Sequence, residues 1–309
     1  MIIHWLFLFT ALLAVPAFAG PKVVVTLKPV HSLVAGVMAG VGQPRLLLAA
    51  NGDVHNHALR PSEARALAEA DLVIWIGPGL EGYLAKALSN LTIDARIITL
   101  LRTPEMALLA ARAGGVWKGH AGNGNGNGNG NGNDDIDPHL WLDTRNAKVI
   151  VGQAVAALSR LDPEHSAAYR RNGNDVLVGL GELETEIHRL LAPVRGLPYL
   201  VLHDAYQYFE ARFRTRGIGA IAIAPDRKPG ARRLSAIRQS LRKGKTRCLF
   251  QDGDFNSNIV QALIQGVDMR VAILDPIGRT VPPGPNAYGV ILRQLAGNLE
   301  NCLSYAIGP

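Results

Sequence analysis

Cysteine occurs only twice in 309 residues, at Cys248 and Cys302, and neither has another Cys or a His at ligand spacing. That excludes a thiolate zinc site. Long apolar runs are missing too. The stretch from Ile2 to Val15 is apolar but shorter than the roughly 20 residues that span a bilayer. Aromatic residues make up 6%, and none interrupts the basic stretch from Arg227 to Arg247, which carries much of the net charge of +7. A nucleic-acid groove needs such interleaved aromatics, so the stretch reads as a solvated helix face. No His-Glu-x-x-His pair occurs, which removes the helix-borne zinc-protease layout. With 48% hydrophobic and 18% charged residues, the chain does not have the composition of a disordered protein.

The length suits about two domains. Ile2 to Val15 followed by Ala17-Phe18-Ala19 reads as a signal peptide cleaved after Ala19, although its first residues lack Lys and Arg. No Cys follows the signal, so a soluble exported chain is expected rather than a lipid-anchored one. In an oxidising compartment Cys248 and Cys302 are expected to bridge. The closed loop of about 55 residues stabilises by about 4 kcal/mol in the chain-entropy account.

Strand and helix patterns alternate from Lys22 onward. Strand signals lie at Lys22–Leu27, Arg45–Leu48, Leu72–Ile76 and Arg96–Leu100, with helical stretches at Ser32–Ala39, Pro61–Ala70 and Leu80–Leu91. Met106–Ala113 reads as a further helix. The second half repeats the pattern, with strands at Tyr199–Leu202, Ile218–Ala224, Arg247–Phe250 and Arg270–Leu274. Alternation of this kind predicts mainly parallel sheets. The expectation is an α/β protein of two similar lobes with four-stranded sheets, 20–143 and 194–309. A helical linker, 144–193, joins them and contains one long rigid helix, with Gly173, Gly179 and Gly181 weakening its continuity. Six Gly-Asn pairs, Gly122 to Asn133, carry no apolar side chain to offset their ordering entropy and form a flexible loop in the first lobe.

Five polar residues stand out by position: His203 and Asp275 directly at the carboxyl ends of strands, where α/β sheets bind ligands, His55 and His57 in the loop after the strand at Arg45–Leu48, and His139 in a loop between the domains. Three imidazoles and one oxygen make a tetrahedral zinc site, and imidazole favours zinc over manganese. Each ligating ring needs an acceptor at its other nitrogen; Asp204, Asp143 or a backbone carbonyl are candidates. His57 is either a ligand or a neighbour of one. His31 reads as part of a helix entry, His165 and His188 as solvated spine residues, His120 as mobile. Asp252 and Asp254 read as turn residues around Gly253.

The motifs also carry a resemblance. Val54-His55-Asn56-His57-Ala58-Leu59-Arg60-Pro61-Ser62-Glu63, Ala70-Asp71-Leu72-Val73-Ile74-Trp75-Ile76-Gly77, Asp137-Pro138-His139-Leu140-Trp141-Leu142-Asp143, Val201-Leu202-His203-Asp204-Ala205-Tyr206 and Leu274-Asp275-Pro276-Ile277-Gly278 resemble, in order, blocks of the cluster A-I solute-binding proteins. These are the zinc and manganese receptors of ABC importers. The resemblance implies a non-enzymatic, monomeric periplasmic receptor with its metal between the lobes. It would deliver Zn²⁺ to an inner-membrane permease and its ATPase. It assigns the ligands His55, His139 and His203, with Asp275 or water fourth. His203 stands where manganese-selective relatives carry Glu. Zinc members usually have a His- and acid-rich loop before the second ligand; Gly-Asn repeats stand there instead, so auxiliary zinc binding is expected to be weak or lost. Two other readings remain at this stage, a manganese receptor and a zinc-dependent hydrolase.

Overall fold

Parallel strands buried on both faces need continuous apolar runs, and the chain supplies them. The structure, a computed structural model, describes residues 20–48, 54–55, 57–91, 96–112, 136–221, 230–242, 246, 248–252 and 257–305. The expected signal segment, the Gly-Asn tract, His120 and Asp254 lie outside the described residues. In the first lobe β1 (Val23–Val25), β2 (Arg45–Leu46), β3 (Leu72–Trp75) and β4 (Arg96–Thr99) form one parallel sheet of order β2-β1-β3-β4. Every residue of β1 and β3 is buried, while the edge strand β4 is half-exposed. In the second lobe β5 (Pro198–Val201), β6 (Arg216–Ala220), β7 (Cys248–Gln251) and β8 (Arg270–Ile273) repeat that order as β6-β5-β7-β8, again all parallel. The two lobes therefore share one winding.

Helices α1 (Lys28–Val37), α2 (Pro61–Ala68) and α3 (Gly82–Leu91) follow strands of the first lobe; α6 (Gln207–Phe213), α7 (Ala231–Arg242), α8 (Ser257–Ile264) and α9 (Ala287–Tyr305) belong to the second. Between the sheets run α4 (Thr144–Leu161) and α5 (Ser166–Leu190). Asp143 caps α4, its carboxylate accepting from Arg145 N at 2.8 Å, so the opening of α4 is set directly behind the His139 motif. At 25 residues α5 is about 37 Å long. Its glycines do not interrupt it, and Gly173 has a packing reason: a Cβ there would stand 2.5 Å from Val155 Cγ2 of α4. One apolar cluster extends from Val25 and Leu72 through Ile150, Leu158 and Ile187 to Phe250 and Leu295. The spine thus shares its core with both lobes.

Polar contacts add to that union. Lys28 Nζ, at the start of α1, donates to the carbonyls of Gly278, Arg279 and Val281 in the second lobe. Ser32 Oγ donates to Pro285 O at 3.0 Å and accepts from Tyr288 N at 2.8 Å. Among the described residues no helix is long and apolar enough to cross a membrane.

Two expectations need correction. Residues 106–112 are not helical. Their backbone groups have tertiary partners instead: Ala107 N donates to Asn146 Oδ1 at 2.9 Å, Leu109 N to Tyr208 Oη at 3.0 Å, and Ala110 forms an antiparallel bridge with Ile136. Within the basic stretch, Arg233 and Arg238 are not simply solvated. Arg233 donates to the carbonyls of Ala220 and Ile221, and Arg238 to that of Gln265.

Glu81 closes the turn after β3. Its Oε2 accepts from Ile76 N at 2.8 Å and from Gly77 N at 3.4 Å. Burial pushes the carboxyl up to about 7, against the pull of Thr26 and those amides. The folded state therefore holds this proton more tightly than the unfolded chain, which loses it near 4.5. The contribution to stability is full below that value and is lost as pH rises toward 7, a loss of about 3 kcal/mol. Glu81→Gln is expected to stabilise by about 2–3 kcal/mol at pH 8 and to change little at pH 4. Urea denaturation at the two pH values measures this.

Candidate metal centre

In a sheet of order 2-1-3-4 the crevice for ligands opens where the winding reverses, between the first and third strands. In the second lobe those strands are β5 and β7. His203 follows β5 and Asp252 follows β7, so both stand at that reversal. His55 follows β2 of the first lobe, and His139 lies in the turn before α4.

These loops bring three imidazoles together. Among the described residues, His55, His139 and His203 form the group whose ligand atoms all lie within 4.8 Å of one another. Their ring centroids stand 5.9 Å (55 to 139), 5.5 Å (55 to 203) and 5.1 Å (139 to 203) apart. His139 and His203 are 1% and 3% exposed, and His55 is partly buried. With Zn–N bonds of about 2.0–2.1 Å, tetrahedral nitrogens sit about 3.4 Å apart, so small side-chain movements close the triangle on an ion.

Two carboxylates orient the rings. Asp137 Oδ1 lies 2.7 Å from His139 Nδ1 and also accepts the His139 backbone N–H at 3.0 Å. Asp252 Oδ2 lies 3.2 Å from His203 Nδ1, while Asp252 Oδ1 lies 2.6 Å from Tyr206 Oη. Tyr206 is buried, and burial together with Asp252 raises its pKa well above the ordinary phenol value, so it stays a donor. With Nδ1 of both rings engaged by a carboxylate, Nε2 is the nitrogen each ring could offer an ion. A carboxylate behind a ligating imidazole fixes the tautomer and raises its basicity.

This corrects the sequence reading. Asp252 is not simply a turn residue; it is 6% exposed and supports His203. Of the acceptors named from sequence, neither carboxylate serves a ring of the triangle. Asp204 pairs with Arg112, and Asp143 caps α4 and pairs with Arg145. Asp137, two residues before His139, was not among the acceptors named; its place at the head of the motif was the available signal. Asp252 lies 49 residues from His203, with no sequence signal beyond its place at a strand end. Asp252→Asn is expected to weaken metal binding about 10- to 100-fold, read by competition against a chromophoric chelator.

Asp275 stands outside the triangle. Its Oδ1 accepts from Ile277 N at 3.2 Å and Gly278 N at 3.0 Å, and its Oδ2 from Arg279 N at 2.5 Å. The turn it caps is anchored close by, since Trp141 Nε1 donates to Pro276 O at 2.8 Å and the Trp141 ring packs 5.3 Å from that of His139. The other described histidines have local roles. His57 Nε2 pairs with Glu63 Oε2 at 2.8 Å, beside the site. His31 Nε2 meets Pro44 O at 2.9 Å, and burial lowers its pKa. His165 pairs with Asp162, and His188 packs on Phe213.

The profile of the ZnuA family, described as zinc-uptake complex component A periplasmic, matches residues 23–302. The high-affinity zinc uptake system protein ZnuA of Brucella suis biovar 1 (strain 1330) is 35% identical over 330 residues, covering 98% of this chain and 99% of the relative. That of Yersinia pestis is 31% identical over 293 residues, with 92% of each chain covered. A crystal structure of ZnuA superposes with a TM-score of 0.75 at 19% identity, covering 92% of this chain and 99% of the other. A zinc-bound 138–173 deletion mutant of ZnuA gives 0.74 at 19%, covering 92% and 98%. At such identities the two structures speak for the fold alone. The profile and the sequence relatives carry the assignment: this chain belongs to the ZnuA family, periplasmic solute-binding components of zinc uptake rather than enzymes.

Proposed function

We propose that the chain captures Zn²⁺ in the periplasm through His55, His139 and His203 and hands it to an inner-membrane ABC permease driven by its ATPase. The observation that carries this reading is the convergence of three imidazoles, two of them backed by buried carboxylates. Three neutral nitrogen donors suit zinc better than manganese, which prefers oxygen. Asp275 lies outside the group of ligand atoms within 4.8 Å, and its oxygens already accept the amides of residues 277–279, which favours water over Asp275 as the fourth ligand. The receptor works as a monomer of two lobes, 20–143 and 194–309, joined by the linker 144–193, after signal cleavage behind Ala19. The shared core and the Lys28 and Ser32 contacts hold the lobes as one body, so release depends on the loops bearing the ligands.

Zinc titration against a competing chelator tests the reading. One tight equivalent per chain is expected, because Asn amides in Gly122–Asn133 are poor zinc ligands. No tight equivalent overturns the receptor assignment. Two or more overturn the inert role given to the tract.

A further inference from the structure

We propose that Arg112 is a positioning residue for zinc capture, reaching across from the segment after β4 to hold the turn that carries His203. The inference rests on the zinc-receptor reading of the triangle. Arg112 Nε donates to Asp204 Oδ2 at 3.1 Å, Nη2 donates to Asp204 Oδ1, and Nη1 donates to Glu210 Oε2 at 2.5 Å. Asp204 directly follows His203, and Glu210 lies on α6, the helix into which that turn runs. Both carboxylates are buried, at 3% and 8% exposure. The far oxygen of Glu210 accepts from Tyr199 Oη at 3.0 Å, and Tyr199 lies on β5, which leads into His203. One guanidinium therefore braces the His203 turn on its helix side and, through Glu210, on its strand side.

The same short segment also holds the turn of His139. Asp137 N donates to Leu109 O at 2.9 Å, and Ala110 bridges to Ile136. Tyr208 Oη, on α6, accepts from Leu109 N at 3.0 Å and donates to Asp137 O at 2.8 Å. Gln207 Nε2, at the start of α6, donates to Ala110 O at 3.1 Å. Residues 109–112 are thus bonded to the carboxylate residue that orients His139 and to the residue next to His203. They set the spacing of two of the three ligands. A fork of N–H donors gripping a carboxylate fixes direction as well as charge, which an ammonium does not.

The alternative role for Arg112 is charge compensation of two neighbouring acids, and it predicts the opposite sign. Removing a cation near a Zn²⁺ site would by itself strengthen binding. Removing a brace weakens it.

The test compares wild type, Arg112→Lys, Arg112→Ala and Asp204→Asn, each melted thermally to establish folding. Each is then titrated with Zn²⁺ against a chelator and loaded with Co²⁺, whose visible absorption reports coordination geometry. Wild type is expected to bind zinc tightly and to give a tetrahedral Co²⁺ spectrum. Arg112→Lys and Asp204→Asn are expected to bind zinc about 10-fold or more weakly with altered Co²⁺ bands, and Arg112→Ala more weakly still. If Arg112→Ala does not fold, the two milder variants decide. An Arg112→Lys protein with wild-type affinity and spectrum overturns the proposal, as does an Arg112→Ala protein that binds more tightly. In both cases the zinc reading stands. A wild type without tight zinc overturns that reading and the proposal with it.

Discussion

Replacing His139 by Ala is expected to weaken zinc binding about 100- to 1000-fold. Structural zinc sites bind with about 10–16 kcal/mol. Spread over four ligands, that is about 2.5–4 kcal/mol each, at about 1.4 kcal/mol per tenfold. His139 should realise the whole of this. It is 1% exposed, and its Nδ1 is held by Asp137 at 2.7 Å, so its ligating nitrogen is already placed. Truncation also strips Asp137 of a ring partner in a buried setting, which costs about 1–3 kcal/mol of stability. The two effects separate in measurement: chelator competition reads the first, and melting of the metal-free protein reads the second. Unchanged affinity would sink the triangle as the binding site. Asp275→Ala provides the contrast. Its oxygens cap the turn at residues 277–279, so it should lose stability while binding zinc far better than the His139 variant does.

The contrast also shows what the linear chain carries. The order of strands and helices was legible because the central strands are short apolar runs and the crossovers periodic helices; β3 falls within a residue of its expected bounds. The triangle was legible because His55, His139 and His203 sit in loops at distinctive motifs. What lay hidden depends on pairings distant in sequence. Asp252 meets His203 only because β5 and β7 are neighbours in the sheet. Residues 106–112 have helical composition, yet their N–H groups go to Asn146 and Tyr208, partners that local propensity does not register. Gly173 looked like a weak point in α5 and instead leaves room for Val155 of α4. The Gly-Asn tract was recognisable by composition, but it lies outside the described residues.

Removing the disulfide by the double substitution Cys248→Ser and Cys302→Ser is expected to lower the melting temperature by about 8–16 °C. The bond joins the first residue of β7 to the last turns of α9, with Cα atoms 6.1 Å apart and a sequence separation of 54. Both sulfur-bearing residues are buried. Closing a loop of this size stabilises by about 4 kcal/mol in the chain-entropy account, and at this chain length each kcal/mol moves the midpoint by about 2–4 °C. Zinc affinity should be preserved. Cys248 is at the amino end of β7, whereas Asp252, which supports His203, is past its carboxyl end, and the strand between them is held on both sides by β5 and β8. Ligand binding offers a matching scale: zinc at about 1,000 times its dissociation constant stabilises by about 4 kcal/mol. The zinc-loaded double variant and the metal-free, disulfide-bonded protein should therefore melt at similar temperatures. Calorimetry of the four combinations checks this. A fall below about 2 °C in the metal-free variant would mean that the packing of α9 on the second sheet, and not the covalent link, secures the end of the chain.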